Sequence, residues 1–270
     1  MYVRPSAPVS IGGVVDDAIR LYRAAFSRTW KLSVGFGIAL AVFGIAVTLV
    51  VPGIFSGAKL TPQQAVGLFR SPVVIGTYAL IFLIEIAFYG ALLVSENAVA
   101  RGAPVSGGQA VSAAVRRLPG MVLASLVFLT GLFVGCILLL IPGIWLWGKL
   151  QLWPAALFTE DASAMGALGS SWNLTKGRWW RTVTIVSVAL IIVYVLTLAV
   201  GLVPLSLVAL VGFKKGSILL AQLAALPFSI LSRVLIMPAM PAVLLAVHHD
   251  SKLRSEGDDL VERTGALGPA

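Results

Sequence analysis

Two patterns of apolar and polar positions alternate along the chain. Long, nearly uncharged runs recur at about 32–55, 72–97, 119–141, 182–210 and 217–248, with a shorter one at about 143–159. At 1.5 Å of rise per residue, roughly 20 residues of helix cross the ~30 Å of hydrocarbon in a bilayer. The other pattern has helical period and two unlike faces. Over 10–29, Val15, Ala18, Ile19, Tyr22 and Phe26 share one face, and Asp16, Asp17, Arg20, Arg23 and Ser27 take the other. The pattern returns over about 106–118 with Ala110, Val111, Ala114 and Val115, and over about 162–177 with Met165, Leu168 and Trp172. Such segments read as amphipathic helices at headgroup depth; for the first, an ordinary helix packed on the bundle is the alternative. The expected fold is an all-α polytopic membrane protein. It has about six transmembrane helices as three hairpins, each preceded by a cytoplasmic amphipathic interfacial helix. Residues 1–248 form one membrane domain, and 249–270 form a charged cytoplasmic tail, loose beyond about Leu260.

Local signals set the joints. Ser106-Gly107-Gly108-Gln109 has capping-box spacing, Asp161 or Ser163 can cap the third amphipathic helix, and Gly177 suits its end. Pro8-Val9-Ser10-Ile11-Gly12-Gly13 and Pro104-Val105-Ser106-Gly107-Gly108 open their segments alike. Pro142-Gly143 is expected to break the helix, leaving Ile144–Phe158 either to cross or to re-enter. Gly131 and Gly135 have the spacing that lets helices approach closely, and Pro227, Pro238 and Pro241 predict a kink in the last run.

Composition changes the picture by excluding water as the main surroundings. Hydrophobic residues make up 59%, charged residues 11%, and mean hydropathy is +0.97, against about 25% charged for a soluble domain. The net charge of +9 then points to basic loops facing anionic lipid rather than to nucleic acid. With six crossings, fourteen of the twenty Lys and Arg lie on the side of the termini. Lys59, Arg70, Lys214 and Lys215 lie opposite, and Lys149 and Arg233 fall inside runs. That bias puts both termini in the cytoplasm, and it weakens if 143–159 does not cross. The polar start lacks the apolar core of a cleavable signal. Cys136 is the single cysteine, so no disulfide forms within the chain.

Candidate chemistry is sparse. Glu85, Lys149 and Arg233 sit mid-run, where an isolated charge costs several kcal/mol, so they should face inward and pair. Glu85 is expected to neutralise Lys149, Arg233 or both, with Gln151 and Gln222 as secondary partners. Such a cluster is either a polar staple or an ion or substrate path. Arg116, Arg117, Lys176, Arg178, Trp179, Trp180 and Arg181 fit contacts to lipid headgroups. Trp145, Trp147, Trp153 and Trp172 fit an aromatic belt better than a binding cage. Asp250, Lys252, Arg254, Glu256 and Asp258 read as a cytoplasmic charge network. His248 and His249 are adjacent and do not share a helical face, so no metal is expected. No serine-histidine-acid set, phosphate loop or Cys-x-x-Cys occurs, so no catalytic residue is assigned and no cofactor is expected.

Several stretches together resemble a known family. They are Pro142-Gly143-Ile144-Trp145, Pro154-Ala155, Ser171-Trp172-Asn173-Leu174-Thr175-Lys176-Gly177-Arg178-Trp179-Trp180, and the ending from His248 to Leu260. Together with the opening Ile11-Gly12, Leu21-Tyr22-Arg23 and Phe26, they resemble the membrane domain of glycerophosphoryl diester phosphodiesterases and its stand-alone bacterial relatives. His248-His249 stands where that family has two tyrosines, and Lys252 where it has an arginine. The resemblance implies a bacterial inner-membrane protein. The soluble catalytic barrel is a separate domain, for which the spans leave no room. The expectation is a non-catalytic, lipid-interacting scaffold or accessory subunit. A small transporter or channel with a polar path at Glu85, Lys149 and Arg233 is the alternative, and an intramembrane enzyme the third. Expected partners are anionic inner-leaflet lipids, with another membrane protein or a further copy of the chain left open.

Overall fold

A computed structural model describes residues 2–50, 70–211 and 217–266, together with 61, 63 and 67, excluding the side chains of 48–50, 204, 205, 207–211, 217–222 and 258–266. All regular structure among the described residues is helical. The loop after the first run and the turn at Lys214-Lys215 lie outside the described residues.

Helix α1 (Ile11–Val50) joins the first amphipathic segment to the first apolar run without a break. Nothing from Ser27 to Lys31 lacks a backbone donor or relaxes φ, so the helix propagates through the expected joint. Its buried stripe is Val14, Asp17, Ala18, Leu21, Ala25, Thr29 and Ser33, at spacings of three and four. The stripe is rotated from the expected face: Ile19 is exposed and Asp17 is buried. The residues before α1 account for the difference, because Tyr2 Oη donates to Asp17 Oδ2 at 2.9 Å.

Helix α2 (Pro72–Ala100) packs on α1 and carries α3 (Gly107–Arg116) on its flank. Ala110 and Ala114 of α3 meet Ala91 of α2, while Val111 and Val115 are exposed. The capping box forms as the spacing predicts, with Gln109 N–H donating to Ser106 Oγ at 3.3 Å and Ser106 N–H to Gln109 Oε1 at 2.8 Å. Ser10 Oγ accepts from Gly13 N–H, and Ser163 Oγ from Gly166 N–H, each at 3.1 Å. Three amphipathic segments thus start on the same serine cap.

Helices α4 (Leu118–Leu138) and α5 (Leu140–Leu150) form a tight hairpin through Leu139, whose backbone is extended. The break precedes Pro142, which lies in the first turn of α5, where its missing N–H costs nothing. A Cβ on Gly135 would sit 2.9 Å from Cα of Gly143, and one on Gly131 2.9 Å from Leu146, so the predicted close approach is real. The chain turns at Gln151-Leu152 and continues as α6 (Trp153–Thr159). Arg117, at the foot of α4, donates to Leu157 O at 3.2 Å and Ala162 O at 3.1 Å. Together α5 and α6 therefore return to the level from which α4 departs.

Helix α7 (Ala164–Leu174) packs on α6 and ends near Gly177, at φ 72°. It buries Ala164, Ala167, Leu168, Ser171 and Leu174, leaving Met165 and Trp172 of the expected face exposed. Helix α8 (Trp179–Val211) then leads out and α9 (Ser217–Leu235) returns. Of the three prolines in the last run, Pro238 marks the break: Ile236–Pro238 is a turn, Pro227 lies inside α9, and Pro241 falls in the first turn of α10 (Ala239–Ala266). The segment after His248, expected as a tail, continues α10 as far as Ala266, past the expected loosening at Leu260.

Burial is concentrated at the end holding the start of α1. There Val14, Leu21, Leu93, Leu152, Ala155, Ile185, Val186 and Ala242 with Leu244–Val247 form one core, and Met121, Trp153, Leu157 and Leu168 a second. Toward the α4–α5 turn the large apolar residues face outward, with Phe133, Ile137 and Ile141 67–78% exposed. Among the described residues five stretches are long and apolar enough to cross a membrane: Ile11–Val47, Pro72–Ala100, Leu118–Leu138, Trp179–Val203 and Leu223–Gly257.

Candidate functional site

The expected trio of Glu85, Lys149 and Arg233 separates into two sites. Arg233, near the end of α9, donates to both carboxylate oxygens of Glu85 on α2, at 2.9 and 3.3 Å. The guanidinium also lies 5.3 Å from the ring centroid of Phe36, which stacks on Phe88 at 3.9 Å. Gly37 lets α9 come in here, since a Cβ would lie 3.2 Å from Ile230. A bidentate fork with an aromatic neighbour is the geometry in which arginine differs from lysine.

Lys149 does not join this pair. It is 8% exposed, and its ammonium lies 5.8 Å from the Trp145 ring and 5.5 Å from the Trp172 ring. The two indoles meet edge to face at 5.1 Å. Its electrostatic partners among the described residues are therefore two indole rings, which attract the ammonium through their quadrupoles without neutralising it. Ser171 Oγ and Thr175 Oγ1 donate to its carbonyl at 2.9 and 3.2 Å, tying α5 to α7. Gln151 remains beside Lys149, and its Nε2 donates to Gly148 O at 3.4 Å. The side chain of Gln222 lies outside the described residues.

Beside the Phe36–Phe88 stack lies a groove of about 880 Å³ between α1, α2 and the start of α3. Its polar end holds Ser27, Arg28 and Lys31, and its apolar length runs past Leu32 to Phe36, Ile84 and Phe88. From Ser27 to Phe36, α1 rises about 14 Å, so cations and apolar wall are separated along one axis.

At the end holding the chain start, Asp250 clamps three segments. Its carboxylate accepts Val9 N–H at 2.9 Å, Arg181 at 3.0 Å and Arg254 at 3.0 Å. Both arginines also donate to Val9 O at 2.6 Å. Arg178 reaches Arg254 O, and Trp179 Nε1 donates to Trp145 O at 3.0 Å. Arg117 binds the Asp161 carboxylate. Of the seven residues expected at lipid headgroups, Arg117, Arg178, Trp179 and Arg181 are thus engaged within the protein, and Arg116, Lys176 and Trp180 are exposed. Of the expected charge network, Asp250 pairs with Arg254, Lys252 lies 3.7 Å from Glu160, Glu256 is exposed, and the side chain of Asp258 lies outside the described residues.

Residues 93–247, 155 of the 270, match the model of a domain of unknown function, DUF7847. The chain belongs to that family. No curated protein and no solved structure matches it. The DUF7847 segment contains Lys149, Arg181 and Arg233, whereas Glu85 and the cations of the groove precede it.

Within the DUF7847 segment two carboxylates escaped sequence reasoning. Glu96 is completely buried, and neither carboxylate oxygen has a hydrogen-bond partner among the described residues. The polar triplet Ser95-Glu96-Asn97 inside an apolar helix was the available signal. Glu160 was likewise passed over. His248 Nε2 lies 3.1 Å from its carboxylate, and this bond above all lowers the Glu160 pKa to about 2.

Proposed function

We propose that this protein is a non-catalytic, multi-pass membrane protein that holds anionic phospholipid in the α1–α2–α3 groove and serves as a lipid-interacting scaffold. The observation that supports this most is the order along the groove: Arg28 and Lys31 at one end, apolar wall with Phe36 and Phe88 beyond. A phosphate belongs with the first and an acyl chain with the second. Among the described residues no acidic one lines the groove.

The proposed topology has six crossings, with α5 and α6 together making the fourth and both termini in the cytoplasm. Basic residues gathered by the same end as Val9, Arg117 and Asp250 favour that orientation. The resemblance to phosphodiesterase membrane domains fits the non-catalytic reading. The transporter alternative is weakened because Lys149 is sequestered by indoles and Glu85 is already paired with Arg233.

The test is native mass spectrometry of protein purified with phosphatidylglycerol. Arg28→Gln/Lys31→Gln should cut the retained lipid at least fivefold. Gly35→Leu should do the same by filling the groove, since Gly35 faces open space. Equal retention in both variants would refute the assignment.

A further inference from the structure

A second, smaller cavity of about 230 Å³ lies at the end holding the chain start, lined by Arg4, Arg101, Thr159, His248, His249 and Lys252, among others. Its electrostatics are lopsided. Arg4 makes no hydrogen bond or ion pair among the described residues. Arg101 gives one arm to Thr159 O at 2.6 Å and meets no carboxylate within salt-bridge distance among them. Lys252 reaches Glu160 only at 3.7 Å, because His248 holds that carboxylate at 3.1 Å. Among the described residues Glu256 is the one carboxylate in the lining, exposed like Arg101 and Lys252. Asp17, nearby on α1, is already bound by Tyr2. His248 is 1% exposed and lines the cavity, with Nδ1 unpartnered among the described residues. His249 Nε2 lies 2.8 Å from Pro5 O, which fixes the wall that carries Arg4.

Three cations drawn to one cavity repel one another unless something negative lies between them. His248, whose Nε2 is taken by Glu160, forms part of the same wall without adding a negative charge to it. We propose that this cavity binds a phosphate-type anion, gripped by Arg4 and Arg101 with Lys252 completing the positive ring. Guanidinium forks match phosphate oxygens two at a time, and an ammonium adds a point charge. The volume equals roughly eight waters at ~30 Å³ each, which admits one phosphate group and part of its hydration shell but no acyl chain. The phosphate belongs either to a lipid headgroup or to a soluble phosphate. The site shares no lining residue with the α1–α2–α3 groove, so it stands or falls separately.

The test is calorimetric titration of the full chain in detergent, in the Arg28→Gln/Lys31→Gln background, so that lipid in the groove is not counted. The probes are inorganic phosphate and dihexanoyl phosphatidic acid at matched chloride. Saturable binding of at least one probe is expected, weakened at least fivefold by Arg4→Gln and by Lys252→Gln, and unchanged by the exposed control Arg116→Gln. Binding of inorganic phosphate identifies a free anion as a sufficient ligand, and binding of phosphatidic acid alone identifies a lipid headgroup. Unfolding midpoints without ligand check each variant, and if Arg4→Gln does not fold, Lys252→Gln decides. Failure of both probes to saturate, or unchanged affinity in the folded variants, overturns the proposal.

Discussion

Arg233 and Glu85 neutralise each other across two helices in a region where either charge alone would be costly. Arg233→Leu or Glu85→Leu should each lower stability by about 1–3 kcal/mol, because each leaves an uncompensated partner, while the double change should cost less than the sum. Thermal unfolding in detergent measures this, and strict additivity would mean that the pair carries no coupling. Glu160 makes a prediction in pH. Its carboxyl titrates lower in the folded chain than in the unfolded one. It therefore contributes stability that is fully present above its unfolded pKa of about 4.3 and is lost as pH falls toward about 2. Glu160→Gln should flatten the acid limb of stability against pH over that window. Lys149 shows where charge matching misleads: counting acids and bases sends it to Glu85, whereas its neighbours are Trp145 and Trp172. Trp145, four residues before Lys149 on α5, is a partner that helical spacing announces, whereas Trp172 comes from α7 and is not.

At the scale of elements, glycines set how closely helices meet. A Cβ on Gly148 would collide with the Trp179 indole and Val183, and one on Gly143 with Cys136. Gly148→Ala and Gly143→Ala should each destabilise by about 1–3 kcal/mol through overpacking, whereas Gly169→Ala, facing open space on α7, should be neutral or slightly stabilising. Melting of the three variants side by side checks the contrast. The sequence period located the helices, and Ser106, Ser163 and Gly177 located several of their ends, because those signals act locally. It did not orient the amphipathic faces. In water an apolar position implies a buried one, but beside a membrane Ile19, Val111 and Met165 can face outward while Asp17 goes inward under Tyr2. The joint expected between residues 29 and 32 failed for a related reason: a change from amphipathic to uniformly apolar composition alters what a helix touches without interrupting its hydrogen bonds.

For the whole molecule, the division between a packed end and outward-facing apolar helices accords with a protein seated mostly in lipid. The proposed six-span topology makes a direct prediction. In a Cys136→Ala background, cysteines at positions 176 and 255 should react with a membrane-impermeant maleimide only from the cytoplasmic side, and those at 59 and 215 only from the other. Labelling of 176 and 255 from opposite sides would remove one crossing between them. Run length located the five span-capable helices among the described residues, and the stretch at 143–159 stands apart. There the chain meets the return distance with two short helices, bent at Gln151-Leu152, where the sequence suggested one.

The Asp250 clamp bears on how the chain is made. Val9 is translated before Arg181, Asp250 and Arg254, yet both its N–H and its carbonyl wait for them. The segment around Val9 is therefore secured by this clamp only after Arg254 has been made. The clamp thus closes against the order of translation, its earliest member fixed by its latest.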